Sequence, residues 1–412
     1  MNVNRYFPFA FIYFFINSLG LPFGLTYTSL LAPLFYAWVI IVRKKEVLLP
    51  FIAILVPFIA VHVLLNEIVL DAYLLSLLNL VLVYVFCQAA YTFLLMCRDI
   101  EKIFRWILVI NFILCLLAVP IFFTPYYPVF WDEQVLTEGV GRLRRLRLFT
   151  YEPSYYAFIF TPFFIFFLLQ YLFRQNSIRG VNLLPMLFLP YLLSFSIGVM
   201  GALVLALLVT WVIYFRRLTS KRRIAKAIIT TGASLTVVLF SLLMFFRNNP
   251  IFTRFRNILS GRDSSGRGRT SEAFILAQKL INQGSEFWGI GLGQIKIAGE
   301  NIIKDFYLYN MDIVVTIPNA AAETLAIFGW VGLSLRILVE IFFFFYTRVW
   351  SNYYRLSLFL FVFIYQFTGS FITNAAEYVA WILAFTNVFP QFDVKKKYED
   401  AIVTPSNAPQ PV

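Results

Sequence analysis

Long runs of apolar residues, separated by short polar or basic segments, make up most of the chain. An α-helix needs about 20 predominantly apolar residues to cross roughly 30 Å of hydrocarbon. Each run near that length therefore predicts one transmembrane helix. Six of them precede residue 174: Tyr6–Leu21, Leu25–Val42, Val47–Leu65, Ala72–Met96, Ile103–Thr124 and Tyr155–Phe173.

The apolar run Val181–Phe215 is about twice the length of one span. Small residues in its middle favour a turn that divides it into two helices, and these residues are Ser194, Ser196, Gly198 and Gly201. Four more spans are predicted at Ile224–Phe246, Asn319–Tyr346, Leu356–Phe371 and Ala375–Phe389. The predicted fold class is all-α integral membrane, with about 12 transmembrane helices.

The composition also indicates a membrane protein. Hydrophobic residues make up 60% of the 412 residues and charged residues 13%, whereas soluble domains average roughly 45–50% and 25%. The first apolar run has little positive charge before it and no small-residue cleavage site, so we expect a retained helix rather than a removed signal peptide. The three cysteines lie in or beside apolar runs and do not indicate disulfides.

Charged residues lie mainly between the spans, and their distribution predicts the topology. If the N-terminus is cytoplasmic, more than half of the 34 Lys and Arg residues fall in cytoplasmic segments, as the positive-inside rule requires. Both termini are then cytoplasmic. The net charge of +13 does not form a basic face on a soluble module, so nucleic acid is not an expected partner.

This topology divides the chain into membrane and loop segments. Helices 1–5 occupy residues 1–124, helices 6–9 residues 151–246, and helices 10–12 residues 319–392. Two periplasmic loops separate them, a basic loop at 125–150 and a large loop at 247–318. Residues 393–412 form a cytoplasmic tail, whose Pro, Asn and Gln content is typical of disorder.

The first outer loop carries four arginines on the side of the membrane that usually has fewest: Arg142, Arg144, Arg145 and Arg147. Planar guanidinium groups bind phosphate through paired hydrogen bonds, so we expect an anionic ligand here. Membrane lipid headgroups are the alternative ligand. Glu152 and Tyr155 follow where the next helix begins at Pro153. Glu152 is either an N-terminal helix cap or part of a site beside the arginines.

The second outer loop contains a basic stretch, Ser260–Arg269, which we expect to be flexible. It leads into an amphipathic helix that starts at Thr270 or Ser271 and lies on the membrane surface. Within the stretch, Arg267 precedes Arg269, and Arg269 stands at the positive end of the helix, where an anion binds well. A disordered, solvated loop is the alternative.

A glycine-rich segment follows this helix. Trp288 offers a flat face to a sugar or an anchor at the membrane interface. Alternate glycines permit close approach of the backbone to another group, and these are Gly289, Gly291 and Gly293. The segment lacks the strand-turn-helix context of a dinucleotide site.

The late span that begins at Asn319 carries Glu323 on the same helical face. A carboxylate near the start of a membrane helix is costly when it faces lipid, so we expect Glu323 to face a polar cavity, and Glu377 with it. Deeper in the span, Arg336 and Glu340 repeat the spacing and predict a structural ion pair.

His62, the single histidine, is predicted to be a hydrogen-bonded packing residue rather than a proton carrier. With one His and no Cys or carboxylate cluster at ligand spacing, the sequence predicts neither a metal site nor a cofactor.

Over most of its length, the chain resembles the O-antigen polymerase and ligase superfamily of bacterial membrane glycosyltransferases, Wzy and WaaL. Besides the number of spans, the resemblance is carried by Glu152-Pro153-Ser154, by Arg269 with its helix and Trp288–Gly293, and by Asn319–Gly332. It implies a GT-C-like, metal-independent enzyme that moves a growing glycan from undecaprenyl pyrophosphate to the non-reducing end of a new lipid-linked repeat, with inversion. A Wzz-like chain-length regulator is the protein partner it suggests.

In this interpretation Arg147 and Arg269, assisted by Arg144, stabilise the departing pyrophosphate. Glu152 orients or deprotonates the acceptor hydroxyl, and Glu323 is the second candidate. The candidate catalytic residues are therefore Arg147, Glu152 and Arg269. The candidate substrate-binding residues are Arg142, Arg144, Arg145, Tyr155, Arg267, Trp288, Gly289, Gly291, Gly293, Asn319 and Glu323.

Two alternatives remain. An O-antigen ligase is the nearer one, although ligases of the superfamily usually have a histidine where this chain has Pro318. A lipid-linked oligosaccharide flippase or other transporter would place its charges within the spans and would not need a long outer loop.

Overall fold

The computed structural model describes residues 6–19, 26–134, 142–173, 180–215, 257, 260, 264–307 and 316–394. In chain order, the α-helices of this part are α1 Phe7–Phe11, α2 Tyr27–Leu30, α3 Ala32–Arg43, α4 Leu49–Leu65, α5 Leu70–Met96, α6 Ile100–Ile121, α7 Pro153–Phe173, α8 Gly180–Ser194, α9 Ile197–Ile213, α10 Ser264–Arg269, α11 Ser271–Ile281, α12 Ile295–Tyr307, α13 Ala320–Tyr346, α14 Tyr353–Tyr365 and α15 Ala375–Phe385. A π-helical turn, Ile12–Ile16, continues α1.

Four of the described helices are long and apolar enough to cross a membrane: α5, α6, α7 and α13. Seven shorter apolar helices accompany them, formed by Phe7–Ile16, Ala32–Arg43, Leu49–Leu64, Leu183–Ser194, Ile197–Ile213, Tyr353–Tyr365 and Ala375–Phe385. This arrangement fits an all-α membrane protein, as the apolar runs predict. The predicted span Ile224–Phe246 lies outside the described residues.

Several predicted helix boundaries agree with the structure. The long apolar run divides between α8 and α9, where Phe195 takes the left-handed conformation with φ +44° and the Ser194 hydroxyl donates to the carbonyl of Tyr191. The late span begins where predicted, since Asn319 caps α13. Both boundaries follow from local chemistry, because a short polar side chain can bond the main-chain groups that a helix end leaves free.

α7 is the centre of the largest apolar core. Nearly all of its residues are buried, and it packs against α8, α9 and α14. Phe163 contacts Phe104 with 4.4 Å between ring centroids, and Phe166 contacts Phe389 at the same distance. A helix that is apolar on every side lies either in lipid or in the core of a protein, and the burial of α7 shows that other helices surround it. The first residues of α7 are therefore held in a fixed position.

A short antiparallel hairpin precedes α7 and was not predicted. Its strands are β1 Trp131–Gln134 and β2 Leu143–Leu146, with Trp131 opposite Leu146. The indole Nε1 of Trp131 donates to the carbonyl of Ala118 at 2.8 Å, which ties the hairpin to the end of α6. The two strands thus place the arginines of the described part of the basic loop next to the start of α7.

The helix predicted after Arg269 is present as α11, but its apolar face has a different partner from the one expected. Ala273, Ala277 and Leu280 are completely buried, and α11 packs against α13 and α12. Because the small side chains allow close packing, protein rather than the membrane surface covers this face. In the stretch before it, which was expected to be flexible, Ser264–Arg269 forms the short helix α10, and residues 261–263 lie outside the described residues.

A buried ion-pair network joins α13 to α15. Arg336 donates to Glu340 at 3.2 Å, to the side chain of Gln366 at 2.7 Å and to Glu377. Gln366 in turn donates to Glu340 at 2.7 Å. The predicted Arg336–Glu340 pair is confirmed, and Glu377 shares the same cation. Because an unpaired charge inside the protein is costly, this network joins α13 to the end of α14 and the start of α15.

Replacing Arg336 with methionine is expected to destabilise the fold strongly, because Glu340 and Glu377 would stay buried without their cation. Breaking a buried pair from one side costs about 3–5 kcal/mol. Arg105→Met is the matched control, since Arg105 and Glu101 form an exposed pair at 3.6 Å of the kind worth about 0–1 kcal/mol. Thermal unfolding of the detergent-purified proteins measures the difference. Equal melting temperatures for the two variants would contradict this role.

Candidate functional site

Arg147 is held by main-chain oxygens at the turn before α7. Its guanidinium donates to the carbonyl of Pro128 at 2.9 Å and more weakly to those of Thr150 and Tyr151, at 3.4 and 3.5 Å. In the described part of the chain, none of the ion pairs involves Arg147. Neutral carbonyls orient the Arg147 guanidinium group but do not cancel its positive charge. The cation is therefore available to an anion.

Glu152 sits at the N-terminal boundary of α7. Its carbonyl accepts the first helical hydrogen bond from the amide of Tyr156 at 3.1 Å, and Pro153 occupies the first helical position, where its missing N–H costs nothing. The hydroxyl of Ser154 donates to the Glu152 carboxylate. The predicted capping position is confirmed for the backbone. The carboxylate, half-buried and oriented by one hydroxyl, remains a candidate for chemistry.

Arg269 lies at the junction of α10 and α11, and its charge acts on the phenol of Tyr151, the residue before Glu152. Burial raises the pKa of the Tyr151 phenol well above its ordinary value, Glu152 raises it further, and Arg269 opposes both. The Tyr151 ring is nevertheless 46% exposed. Both observations fit a ring that lines an open recess, where surrounding atoms displace part of its water. The charges of Glu152 and Arg269 thus both act on the Tyr151 phenol, and Arg147 donates weakly to the Tyr151 carbonyl. The three candidates are therefore grouped around Tyr151, a residue that the sequence did not single out.

Asn319 fixes the backbone of Arg269. Its amide nitrogen donates to the carbonyl of Arg269 at 2.8 Å and to that of Phe367 at 2.7 Å, while its oxygen accepts from the amide of Ala322 at 2.9 Å. The residue has no exposed surface. One side chain therefore caps α13 and joins the outer segment to the connection after α14. The structure places this predicted substrate-binding residue behind the site rather than at its surface.

Glu323, one turn further along α13, is also tied to the end of the bundle. Its carboxylate accepts from the main-chain amide of Ile372 at 2.7 Å, in the connection before α15. The side chain is only partly buried. Glu377, expected to face the same cavity, is instead paired with Arg336 and is 1% exposed.

The arginines of the hairpin are directed away from one another. Arg144 donates to the carbonyl of Phe122 at 2.9 Å, lies 3.7 Å from Glu133 and stacks over the Tyr127 ring at 3.8 Å from its centroid. Arg145 is buried on the opposite face of the strand, across from Asp132, because successive side chains of a strand alternate.

The two remaining basic candidates lie at the surface. Arg142 is exposed just before β2. Arg267 pairs with Glu272 at 3.3 Å, with 54% of its side chain exposed. The predicted group of arginines is therefore not one cluster, and Arg147 and Arg269 are the two that border Tyr151.

The glycine-rich segment completes a break in α13. Gly329 has φ +65° and ψ −165°, which interrupts the helix. The carbonyls of Ala326 and Ile327 accept instead from the amides of Ile290 and Gly291, at 2.9 and 3.0 Å. In return, the amides of Trp330 and Val331 donate to the main-chain carbonyls of Glu286 and Phe287 at 3.1 and 3.0 Å. The outer segment thus replaces the helical hydrogen bonds that the break removes, as apolar surroundings require.

The residues predicted here as a sugar contact have packing partners in the structure. Gly289, Gly291 and Gly293 all have positive φ, and a Cβ on Gly293 would lie 2.3 Å from the carbonyl oxygen of Ala72. The Trp288 carbonyl accepts from Nε2 of His62 at 2.7 Å, so Nδ1 of His62 accepts from the Tyr73 hydroxyl at 3.0 Å. His62 is thus a hydrogen-bonded packing residue, as predicted.

The sequence matches no protein-family model, and no curated protein matches it. Among the described residues, no group of three or more His, Cys, Asp or Glu side chains is arranged to hold a metal ion. The geometry around Tyr151 therefore carries the functional argument.

Gly289→Ala is expected to disrupt the fold, because Gly289 has φ +79° and its Cβ would lie 2.3 Å from the carbonyl oxygen of Ile327. Strain of this kind costs about 1–3 kcal/mol even before the contact is relieved. In Gly201→Ala, the matched control in α9, the Cβ would meet nothing within 4 Å, and the change should stabilise the helix by about 0.5–1 kcal/mol. Melting temperature and the yield of monodisperse protein report both effects. A Gly289→Ala protein as stable as wild type would show that the segment does not pack this tightly.

Proposed function

We propose that this chain is a polysaccharide polymerase of the bacterial inner membrane, a GT-C-like glycosyltransferase with about 12 transmembrane helices. It transfers a growing glycan from undecaprenyl pyrophosphate to the non-reducing end of a new lipid-linked repeat at the periplasmic face. The observation that carries the proposal is the convergence of Arg147, Arg269 and Glu152 around Tyr151. These are two cations and one carboxylate that form no ion pair with each other in the described chain.

The two cations suit the leaving group. When the anomeric carbon–oxygen bond breaks, its electron pair leaves with the pyrophosphate, and negative charge grows on the phosphate oxygens. Arg147 is already oriented by the carbonyls of Pro128, Thr150 and Tyr151. The backbone of Arg269 is fixed by Asn319. Donors held in place before the reaction stabilise developing charge without reorganisation, so no metal is needed in this mechanism.

Glu152 suits the acceptor. In the proposed step the acceptor hydroxyl gives its proton to the Glu152 carboxylate while its oxygen attacks the anomeric carbon from the face opposite the pyrophosphate, with inversion. The Ser154 hydroxyl orients the carboxylate, and a positioned base of this kind contributes about 10²–10⁴-fold. Glu323 is the second candidate for this role.

The electrostatic influence of Arg269 on Tyr151 also supports the proposed topology. Arg147 and Glu152 belong to the first predicted periplasmic loop and the helix after it, whereas Arg269 belongs to the second loop. Arg147 donates to the Tyr151 carbonyl and the charge of Arg269 acts on the Tyr151 phenol, which favours placing both loops on one side of the helical bundle.

A transporter of lipid-linked oligosaccharide is the second candidate, because the Arg336–Glu340–Glu377 network places charges inside apolar helices, a feature of transport pathways. The two activities differ in product. A polymerase yields ladders of repeats on the lipid carrier, a ligase yields glycan on the lipid A core, and a flippase moves single repeats across vesicle membranes without lengthening them.

Arg147→Ala and Arg269→Ala are each expected to lower polymerisation by about 10³-fold, because each removes a preorganised donor from the pyrophosphate. Single-repeat product should persist. Gel ladders and turnover of the lipid-linked repeat measure the effect in membranes that contain equal amounts of each variant. Lys279→Ala is the matched control, since Lys279 is a cation of the same loop that stacks on Phe306.

Arg147→Lys separates charge from geometry. Lysine keeps the charge but loses the planar fork, so partial recovery of the ladders is expected relative to Arg147→Ala. Wild-type ladders in both alanine variants would end the proposed role of these arginines.

Glu152→Gln is expected to reduce turnover less than the arginine variants, by roughly 10²-fold, because activation of the hydroxyl lies at the lower end of general base effects. The amide can still accept from Ser154, so the start of α7 should keep its stability. Glu300→Gln, which alters an exposed pair with Lys304, is the control for loss of a carboxylate. Full turnover in Glu152→Gln would remove this residue from the mechanism.

A further inference from the structure

A polar cavity of about 330 Å³ lies beside the Tyr151 site. Its walls come from the end of the first helix, the start of α2, the middle of α5, the start of α7 and the connection before α15. This volume falls within the range of small-molecule sites, roughly 300–1,000 Å³. The cavity is therefore large enough for a ligand of about one sugar ring, next to the proposed reaction centre.

The lining is polar but uncharged. Residues with hydroxyl or amide side chains are the most numerous, although apolar atoms, including those of Tyr151, Tyr155, Phe371, Val83 and Ala375, form the larger part of the exposed surface. The hydroxyl and amide residues are Asn17, Ser18, Thr26, Thr28, Ser29, Asn79, Thr373 and Asn374. No Asp, Glu, Lys or Arg is among the described residues that line it. Hydroxyls and amides can both donate and accept hydrogen bonds, which matches a ligand rich in hydroxyl groups.

Two buried groups in this lining have unused hydrogen-bonding capacity. Asn17 is 2% exposed and Ser18 is 6% exposed. The Asn17 oxygen accepts from the Tyr155 hydroxyl at 3.1 Å, but within the described chain the Asn17 amide nitrogen and the Ser18 hydroxyl have no hydrogen-bond partner. An unsatisfied buried polar group costs about 1–3 kcal/mol. Both atoms have almost no accessible surface, so a ligand in the cavity would reach them after a small rotation of the two side chains.

Tyr155 and Tyr151 connect this cavity to the proposed chemistry. Tyr155 orients the Asn17 amide, and its ring lies 4.8 Å from that of Tyr151, the residue around which Arg147, Glu152 and Arg269 meet. A ring bound in the cavity would therefore lie next to the carboxylate and the two cations. The aromatic rings provide flat apolar surface for the carbon–hydrogen face of a sugar.

We infer that this cavity is a subsite for one uncharged sugar ring, in which the Asn17 amide and the Ser18 hydroxyl donate hydrogen bonds to ring hydroxyl groups. The inference rests on the proposed function for the source of the sugar, which belongs either to the donor, next to the pyrophosphate, or to the acceptor end. It also narrows the substrate, because a uronic acid or another ionised sugar at this position would place a charge in the neutral lining.

The test measures binding, not turnover, with the full-length protein in detergent. Donor probes are undecaprenyl pyrophosphate alone and the same carrier bearing glucose, galactose, N-acetylglucosamine or glucuronic acid. Acceptor probes are the corresponding free disaccharides. Asn17→Leu removes the free donor, and Thr373→Val changes an exposed residue of the lining, so that loss of folding cannot explain both results.

Asn111→Leu is the matched control. Asn111 is also a buried asparagine whose oxygen accepts from a tyrosine hydroxyl, that of Tyr156 at 2.9 Å, and its amide nitrogen is also unpartnered in the described chain. It is not among the residues that line the cavity. The two variants therefore make the same chemical change inside and outside the proposed subsite.

We expect an uncharged sugar to bind about tenfold more weakly to Asn17→Leu than to wild type or Asn111→Leu, the effect of one or two hydrogen bonds. Thr373→Val should show a smaller loss of the same sign. The bare carrier should bind all variants equally, and the glucuronic acid probe should bind no better than the bare carrier. A loss confined to the carrier-linked sugars assigns the subsite to the donor, and a loss with the free disaccharides assigns it to the acceptor.

Equal affinity of wild type and Asn17→Leu for every sugar probe would overturn the inference, and so would preferential binding of the glucuronic acid probe. These results are independent of the proposed enzyme activity. A protein that binds sugars through Asn17 but makes no polymer would refute the polymerase and keep the subsite. A protein that makes polymer, and whose Asn17→Leu variant binds every sugar probe with full affinity, would keep the polymerase and refute the subsite.

Discussion

The Asn319 side chain links the elements on which the proposed site depends. Its oxygen begins α13, and its nitrogen holds the carbonyls of Arg269 and Phe367. In surroundings without water, each of these main-chain groups must find an internal partner, and a single amide supplies all three. The geometry around Tyr151 therefore depends on the end of the membrane bundle as much as on the outer loop. Further along α13, the ion pairs of Arg336 with Glu340 and Glu377 join this helix to α15.

Much of the helical architecture could be predicted because the apolar runs, their breaks and their caps are local signals. The division at Phe195, the start of α13 and the Arg336–Glu340 pair depend on neighbours a few residues away. The hairpin was missed because its strands are only four residues long, with charged side chains that lack apolar alternation. α12 was missed although Ile295 and Ile303 are buried on one side of it. The break at Gly329 depends on a partner segment about forty residues earlier, which no local pattern reveals.

The candidate site likewise combines residues that local chemistry predicts with residues that only contacts between distant segments reveal. Arg147, Glu152 and Arg269 were selected as catalytic candidates from the sequence, and the folded chain adds that Arg144, Arg145 and Arg267 have partners or positions elsewhere. Tyr151 gave no signal of its own beyond its place before Glu152. Asn17 and Ser18 offered a weak one, since they are polar residues at the end of the first apolar run. Their relation to Tyr155 spans 138 positions and could not be read from spacing.

The exchange of hydrogen bonds at the break in α13 has a consequence for how this chain can diverge. Residues 286–291 and 326–331 are paired amide by carbonyl, so a one-residue insertion or deletion in either segment would shift every partner and expose main-chain groups in both. Length variation among natural descendants of this sequence should therefore be absent from these two short stretches. It should accumulate instead where the chain meets water without such pairing.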